Sequence, residues 1–336
     1  MIVGTRILAL VAAWLLPSAV AAQRQHHLSP ADRTRLAETI RVSASLGNQL
    51  SPGLERTPLA ILLVADSAEY LLGHPSPTAD FSSVGYDSLL KMDVRRRPRV
   101  FAPTLLATFP AVAGLPTIVV GTAPHTGKSS SEWVLTLLHE HFHQWQSSLP
   151  DYYGGVAALD LAGGDSTGMW MLDYPFPYDS APVQQTTRDL AKALSAALGA
   201  APADRDRALG RVVATEQALT PLLAPADRRY LEFQLWQEGV ARFIEYQAAR
   251  LATDLSPPAA AFTKLSDYES YDRLASRRRR ALQQELERFD LGKNRRVSFY
   301  SLGAAYALLL ERINPRWKQM YEATPFVLSK LLKAGK

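Results

Sequence analysis

Residues 139 to 143 read His-Glu-His-Phe-His. This spacing narrows what the surrounding chain can fold into. On an α-helix, side chains four positions apart share one face, so a helix here lets His139 and His143 present their imidazoles to a common point. Glu140 then lies beside them. His141 sits midway between the two on a helix that advances about 100° per residue, so it faces away and reads as a packing residue. Two imidazoles one turn apart with a flanking carboxylate are a donor set for a metal ion and a base that acts on its water. The chain holds only seven histidines. Chance alone should produce the pattern in roughly one such sequence in a hundred or fewer.

Two imidazoles do not complete a catalytic metal site, which takes three protein ligands and leaves one position for water. No histidine follows His143 in the chain, which excludes the three-histidine sets. There is no cysteine, which removes thiolate ligands, disulfides and a cysteine nucleophile. Past His143 the first glutamate is Glu216; Asp160, Asp165 and Asp173 are the nearer carboxylates. The strongest candidate is Glu238, on a helical pattern and followed by Gly239 and Ala241, small residues that let two helices approach closely. Glu245 lies two turns further on, where a carboxylate can hold a ligand histidine by its other ring nitrogen. Asp165 and Asp173 remain alternatives for the third position.

The rest of the chain reads as an α+β protein, with a small N-terminal mixed sheet packed on a predominantly α-helical region. Hydrophobic residues make up 47% of the sequence, a globular composition. Arg6, the apolar run of residues 7–20 and the small residues Ala19 to Ala22 form a signal-peptide pattern over residues 1–22, which implies export to a periplasm or the outside. Its cleavage would take the formal net charge from +5 to +4, too small an excess to indicate a partner. No later stretch is long and apolar enough to span a bilayer. Residues 23–125 form the first subdomain: a polar start with His26 and His27, a helix capped by Ser29-Pro30, then strands at 59–64, 100–109 and 117–120. Arg95-Arg96-Arg97 reads as an exposed loop or edge, and His74 and His125 as exposed loop residues. Residues 126–336 form the helical subdomain, with helices expected at 131–147, 181–198, 204–222, 226–252, 267–289 and 298–313 and a short one at the C-terminus. Residues 151–182 are aromatic and glycine-rich and read as an ordered loop region near the site. Arg277 to Arg280 reads as a solvated helix face, with no nucleic acid implied. Gly121 to Ser129 looks like a phosphate-binding loop but has five residues between its glycines where four are needed. Ser129 to Ser131 are N-cap candidates for the histidine helix instead.

Three segments together resemble the gluzincin zinc metallopeptidases, especially the membrane-alanyl-aminopeptidase type. His139 to Trp145 is similar to that family's first zinc helix, and Leu235 to Tyr246 to its second, which supplies a glutamate ligand. Tyr300-Ser301-Leu302-Gly303 is similar to its Tyr-x-x-Gly segment. The resemblance implies Zn2+ held by His139, His143 and Glu238, with Glu140 as general base. It also implies Tyr300 as donor to the oxyanion, with Tyr306 and Tyr246 as rivals. The implied function is an exported zinc metallopeptidase acting on peptides or proteins, with an edge strand of the sheet to hold an extended substrate. A zinc hydrolase of non-peptide amides or esters, and a non-catalytic zinc-binding protein, are the alternatives. The chain departs from the family in three ways. His143 and Glu238 are 95 residues apart against about twenty in the family, there is no Gly-x-Met-Glu-Asn segment, and the large N-terminal β domain is missing. Aminopeptidase specificity is therefore not implied.

Overall fold

The computed structural model describes residues 28–314 and 316–333. The signal-peptide segment, His26 and His27 lie outside the described residues. The fold is α+β, with the sheet N-terminal and the helices following.

Helix α1 (Pro30–Leu50) starts where Ser29 accepts the Asp32 N–H and is held by buried Leu36, Val42, Leu46 and Leu50. Six strands follow: β1 (Ile61–Val64), β2 (Ala68–Leu72), β3 (Ser82–Asp87), β4 (Met92–Pro98), β5 (Leu106–Val112) and β6 (Leu115–Gly121). Their order in the sheet is β3-β4-β2-β1-β6-β5. The β1–β6 pair is parallel and the others antiparallel, so the sheet is mixed as expected. Strand alternation sorts the apolar residues cleanly. Ile61, Leu63, Ile118 and Val120 join the core that contains the helices. Leu62, Val64, Val119 and Phe81 form a smaller core on the opposite face.

Two expectations about the sheet need correction. Arg95-Arg96-Arg97 is neither loop nor edge, because β4 is paired on both sides, by β2 and β3. Arg97 is accommodated by bonding the fully buried Glu69 at 2.7 Å and by lying over the Phe81 ring. Three strands, β2 to β4, carried no apolar run strong enough to announce them. The expected strand at 100–109 begins only at Leu106, since Glu69 Oε1 accepts the N–H groups of Val100 and Phe101 and holds them in a turn. His74 and His125 are half-buried, and each takes part in local hydrogen bonds. The loop after β6 spends the N–H groups of Thr126, Gly127 and Lys128 on its own carbonyls, which leaves them unable to cradle a phosphate.

Helix α2 (Ser130–Ser148) is the centre of the molecule. Ser129 caps it in a reciprocal pair with Glu132. Every residue from Ser130 to Gln146 except Glu132 is buried. The segment after it is ordered as expected and carries two short helices, Tyr152–Ala158 and Trp170–Asp173. Then come α3 (Ala181–Gly199), α4 (Arg205–Leu219), α5 (Pro225–Gln234), α6 (Val240–Leu255), α7 (Tyr271–Glu287) and α8 (Ser298–Ile313). Two short helices, Trp317–Ala323 and Ser329–Lys333, stand where one was expected. The expected helix over 226–252 is interrupted: Leu235–Gly239 form a π-helical turn between α5 and α6. Among the described residues no helix is long and apolar enough to cross a membrane.

Candidate metal centre

Helix α2 lies against β5 and β6 on one side and α1 and α6 on another. Its histidine face is met by the π-helical turn. That turn widens the helix locally and brings Glu238 to the imidazoles across the 95-residue interval. Its close approach depends on two glycines, Gly239 of the turn and Gly303 of α8, packed backbone to backbone.

The three atoms that face one another are Nε2 of His139, Nε2 of His143 and Oε2 of Glu238. The two nitrogens are 3.0 Å apart, and Glu238 Oε2 is 3.7 Å from His139 and 3.5 Å from His143. A tetrahedral ion with bonds near 2.1 Å separates its ligands by about 3.4 Å, so this triangle has the right size for one. Neither Asp165 nor Asp173 joins the cluster. Asp165 instead accepts three bonds from Thr167 and Trp170 in an exposed loop.

Hydrogen bonding behind the rings sets which nitrogens are free. His143 Nδ1 lies 2.7 Å from Gln146 Oε1. The amide of Gln146 cannot be turned round, because its nitrogen donates to the Trp236 and Gln237 carbonyls and to the Tyr321 hydroxyl. Gln237 Nε2 also lies 3.1 Å from Nδ1, but the Gln146 oxygen is the closer partner, which favours a neutral His143 with its proton on Nδ1 and a lone pair on Nε2. On His139, Nδ1 is 2.9 Å from Glu245 Oε1, though not well aligned on it. A carboxylate only accepts, so a neutral His139 has its proton on Nδ1 and its lone pair on Nε2. Two lone pairs 3.0 Å apart repel unless a cation, a metal ion or a shared proton, sits between them. The donor set therefore fits a metal ion, and the residues behind it are of the kind that orient ligand histidines.

Electrostatics point the same way. Burial opposes a charge on His139, but Glu238 and Glu245 outweigh it and push its pKa up to about 10. Burial would raise Glu238, yet the two imidazoles hold its carboxyl well below the usual range. His139 thus keeps a proton at neutral pH, and that proton takes the place between the two Nε2 atoms that a metal ion would take. Arg278 pairs with the far oxygen of Glu245, closing a chain from guanidinium to carboxylate to imidazole. This corrects the reading of Arg277 to Arg280 as a solvated face: Arg278 is half-buried behind the site, while Arg277 pairs with Glu132 and Glu269 at the surface.

Glu140 is buried and is not a ligand. Its Oε2 accepts a 2.8 Å bond from Thr108 Oγ1, on edge strand β5. Tyr300, at the start of α8, stacks on His139 with ring centroids 6.4 Å apart. Its rivals are elsewhere: Tyr306 is committed to Glu216, and Tyr246 packs against the apolar core. Burial and the neighbouring Glu238 push the Tyr300 hydroxyl far above its ordinary pKa, so it is a proton donor at neutral pH. His141 bonds Ser43 Oγ and the Thr57 carbonyl and is structural, as its position in the helix implied. Thr108, Gln146, Arg278 and Arg296 are the site residues that sequence reasoning missed. Only Gln146, three positions after His143, left a local signal. A cleft of about 390 Å³ between α4, α5 and the C-terminal helix contains none of these residues.

No family model matches the chain, and no curated protein or solved structure matches it either.

Proposed function

We propose that the chain is an exported zinc metallopeptidase with a gluzincin-like site. The observation that carries this reading is the convergence of His139, His143 and Glu238 at ligand distances with Glu140 beside them. Two imidazoles and one carboxylate favour zinc over the harder, oxygen-seeking cations. The ion would polarise a substrate carbonyl and make a water molecule acidic enough to attack it near neutral pH.

The chain's own residues have defined parts in such a reaction. Glu140 takes the proton of the attacking water and delivers it to the leaving nitrogen as the C–N bond breaks. Thr108 keeps the Glu140 carboxylate aimed. Tyr300 donates to the oxygen of the tetrahedral carbon. Strand β5 supports the same reading, because it is the last strand of the sheet. Gly121 N–H donates to Leu105, so by antiparallel alternation residues 107 and 109 also bond β6. Leu106 and Thr108 therefore turn their backbone groups to the free edge, where an extended peptide can pair with them. The proposal of export rests on residues 1–22 alone.

Metal analysis and a peptide-library digest test the proposal together. The wild type should hold one equivalent of zinc and cleave peptide bonds. Glu238→Ala should weaken zinc binding by at least about a hundredfold, since it removes a ligand where loss of an outer partner alone costs 10–100-fold. Asp165→Ala should leave it unchanged; the reverse pattern would move the third ligand to Asp165. Zinc with turnover only of esters or non-peptide amides would select the first alternative function, and zinc with no hydrolysis the non-catalytic one. A separate substitution tests the bond from Thr108 to Glu140. Thr108→Val should lower kcat about tenfold or more with zinc retained, the scale of a hydrogen bond to a charged group, and Thr108→Ser should restore most of it.

A further inference from the structure

We propose that Arg296 is the substrate-recognition residue of this site and that it binds a carboxylate, the free C-terminus of a peptide. This rests on the peptidase reading above.

The first support is how the chain delivers this side chain. Arg295–Val297 form a single 3-10 turn immediately before α8. Arg295 adopts φ +47°, a left-handed value that side chains other than glycine rarely take. Such strain persists where the surroundings impose it, and it is commonest at functional sites. Here it turns the two arginines in different directions. Arg295 stays more than half exposed, whereas Arg296 is 80% buried beside the ligand cluster, with its side chain 20% exposed.

The second support is the geometry of the guanidinium. Nη1 lies 2.9 Å from the Tyr300 hydroxyl and 3.5 Å from Glu238 Oε1, the oxygen of the ligand carboxylate that points away from the imidazoles. Among the described residues Nε and Nη2 have no hydrogen-bond partner, and neither is sealed from solvent. A planar fork with one side anchored and the other open is suited to grip a second carboxylate with two parallel bonds. Nearby, the buried hydroxyl of Tyr178 has no well-formed hydrogen bond, and the charge of Arg296 acts on it.

The third support is the balance of charge. The carboxylates that touch the site are all engaged: Glu140 by Thr108, Glu245 by His139 and Arg278, and Glu238 as the third ligand. Among the described residues none is left to receive the ammonium of a substrate's amino terminus, whereas Arg296 offers an uncommitted edge.

Equilibrium binding separates this proposal from the hydrolytic reading, because it needs no turnover. A set of N-acetylated tripeptides, each as the free acid and as the C-terminal amide, is titrated calorimetrically into the zinc-loaded Glu140→Gln protein. The free acids should bind at least tenfold more tightly than the amides. Arg296→Gln in the same background should bring the two forms within twofold while zinc content is retained. If Arg296→Gln does not fold, Arg296→Lys keeps the charge without the fork and should cut the preference at least threefold. Equal or absent binding of the two forms, or a preference that survives both substitutions, overturns the proposal. An acid preference in a wild type that cleaves neither form would uphold carboxylate recognition and count against the peptidase reading alone.

Discussion

Replacing Glu140 by glutamine is expected to abolish peptide hydrolysis while leaving the metal in place. The two side chains have the same shape, but the amide cannot take a proton from water. Glu140 lies outside the ligand triangle, so the change removes no donor to the ion. The Thr108 hydroxyl can still be satisfied by the amide oxygen, so helix α2 should not shift. General-base catalysis contributes about 10²–10⁴-fold, and kcat should fall by about that factor. Steady-state kinetics on any peptide the wild type cleaves, with zinc analysis and a melting curve on the same preparations, make the comparison. Turnover within a few-fold of wild type, with zinc bound, would remove Glu140 from the mechanism.

The second large effect is expected far from any charge. A methyl group added at Gly303 would stand 2.5 Å from the Leu235 carbonyl oxygen and 2.6 Å from Gly239 Cα, and one added at Gly239 would stand 2.3 Å from Gly303 Cα. These neighbours are backbone atoms, so no rotamer change relieves the clash and the two helical segments must part. Overpacking of this kind costs about 3 kcal/mol, the upper part of the usual range. In a chain of this size that corresponds to a fall in Tm of roughly 4–5 °C. The metal site should suffer as well, since Glu238 is next to Gly239 and Tyr300 lies one turn from Gly303. Gly303→Ala should therefore lose both stability and zinc affinity. Gly210→Ala is the control. It sits in an exposed helical position with open space around it, where alanine should stabilise by about 0.5–1 kcal/mol. Equal melting temperatures for Gly303→Ala and the wild type would show that the close approach is not needed.

Much of the helical half was legible because its signals are local. Ser129 with Glu132 marks one helix start, Ser29-Pro30 another, and residues 298–313 carry an uninterrupted apolar pattern that became α8. The sheet was less legible. Strands β3 and β4 are polar and only partly buried, so neither an apolar run nor a clean alternation separates them from loop. Arg97 was misplaced for a related reason. A charged run is ordinarily solvated, and it takes a buried partner such as Glu69, 28 positions away, to hold one inside a sheet. The π-helical turn was invisible because the residues 235–239 have ordinary helical composition; its extra width reflects what packs against it.

The sequence by itself determined the local half of the site: two imidazoles on one helical face, a carboxylate beside them, a third histidine and any thiolate excluded, and Glu238 nominated by the small residues that follow it. Helical periodicity and composition are enough for that, because each involves residues within a few turns. Tertiary structure alone decided that Glu238 reaches the imidazoles across 95 positions, and that Gln146 and Glu245 set the ring nitrogens. It also decided that Arg278 stands behind Glu245, Thr108 beside Glu140 and Arg296 beside Tyr300. Most of these pairings join different elements, and sequence spacing carries no record of which elements will pack together. The chemistry of the metal centre is therefore written in one helix, while its geometry depends on how the whole core packs around that helix.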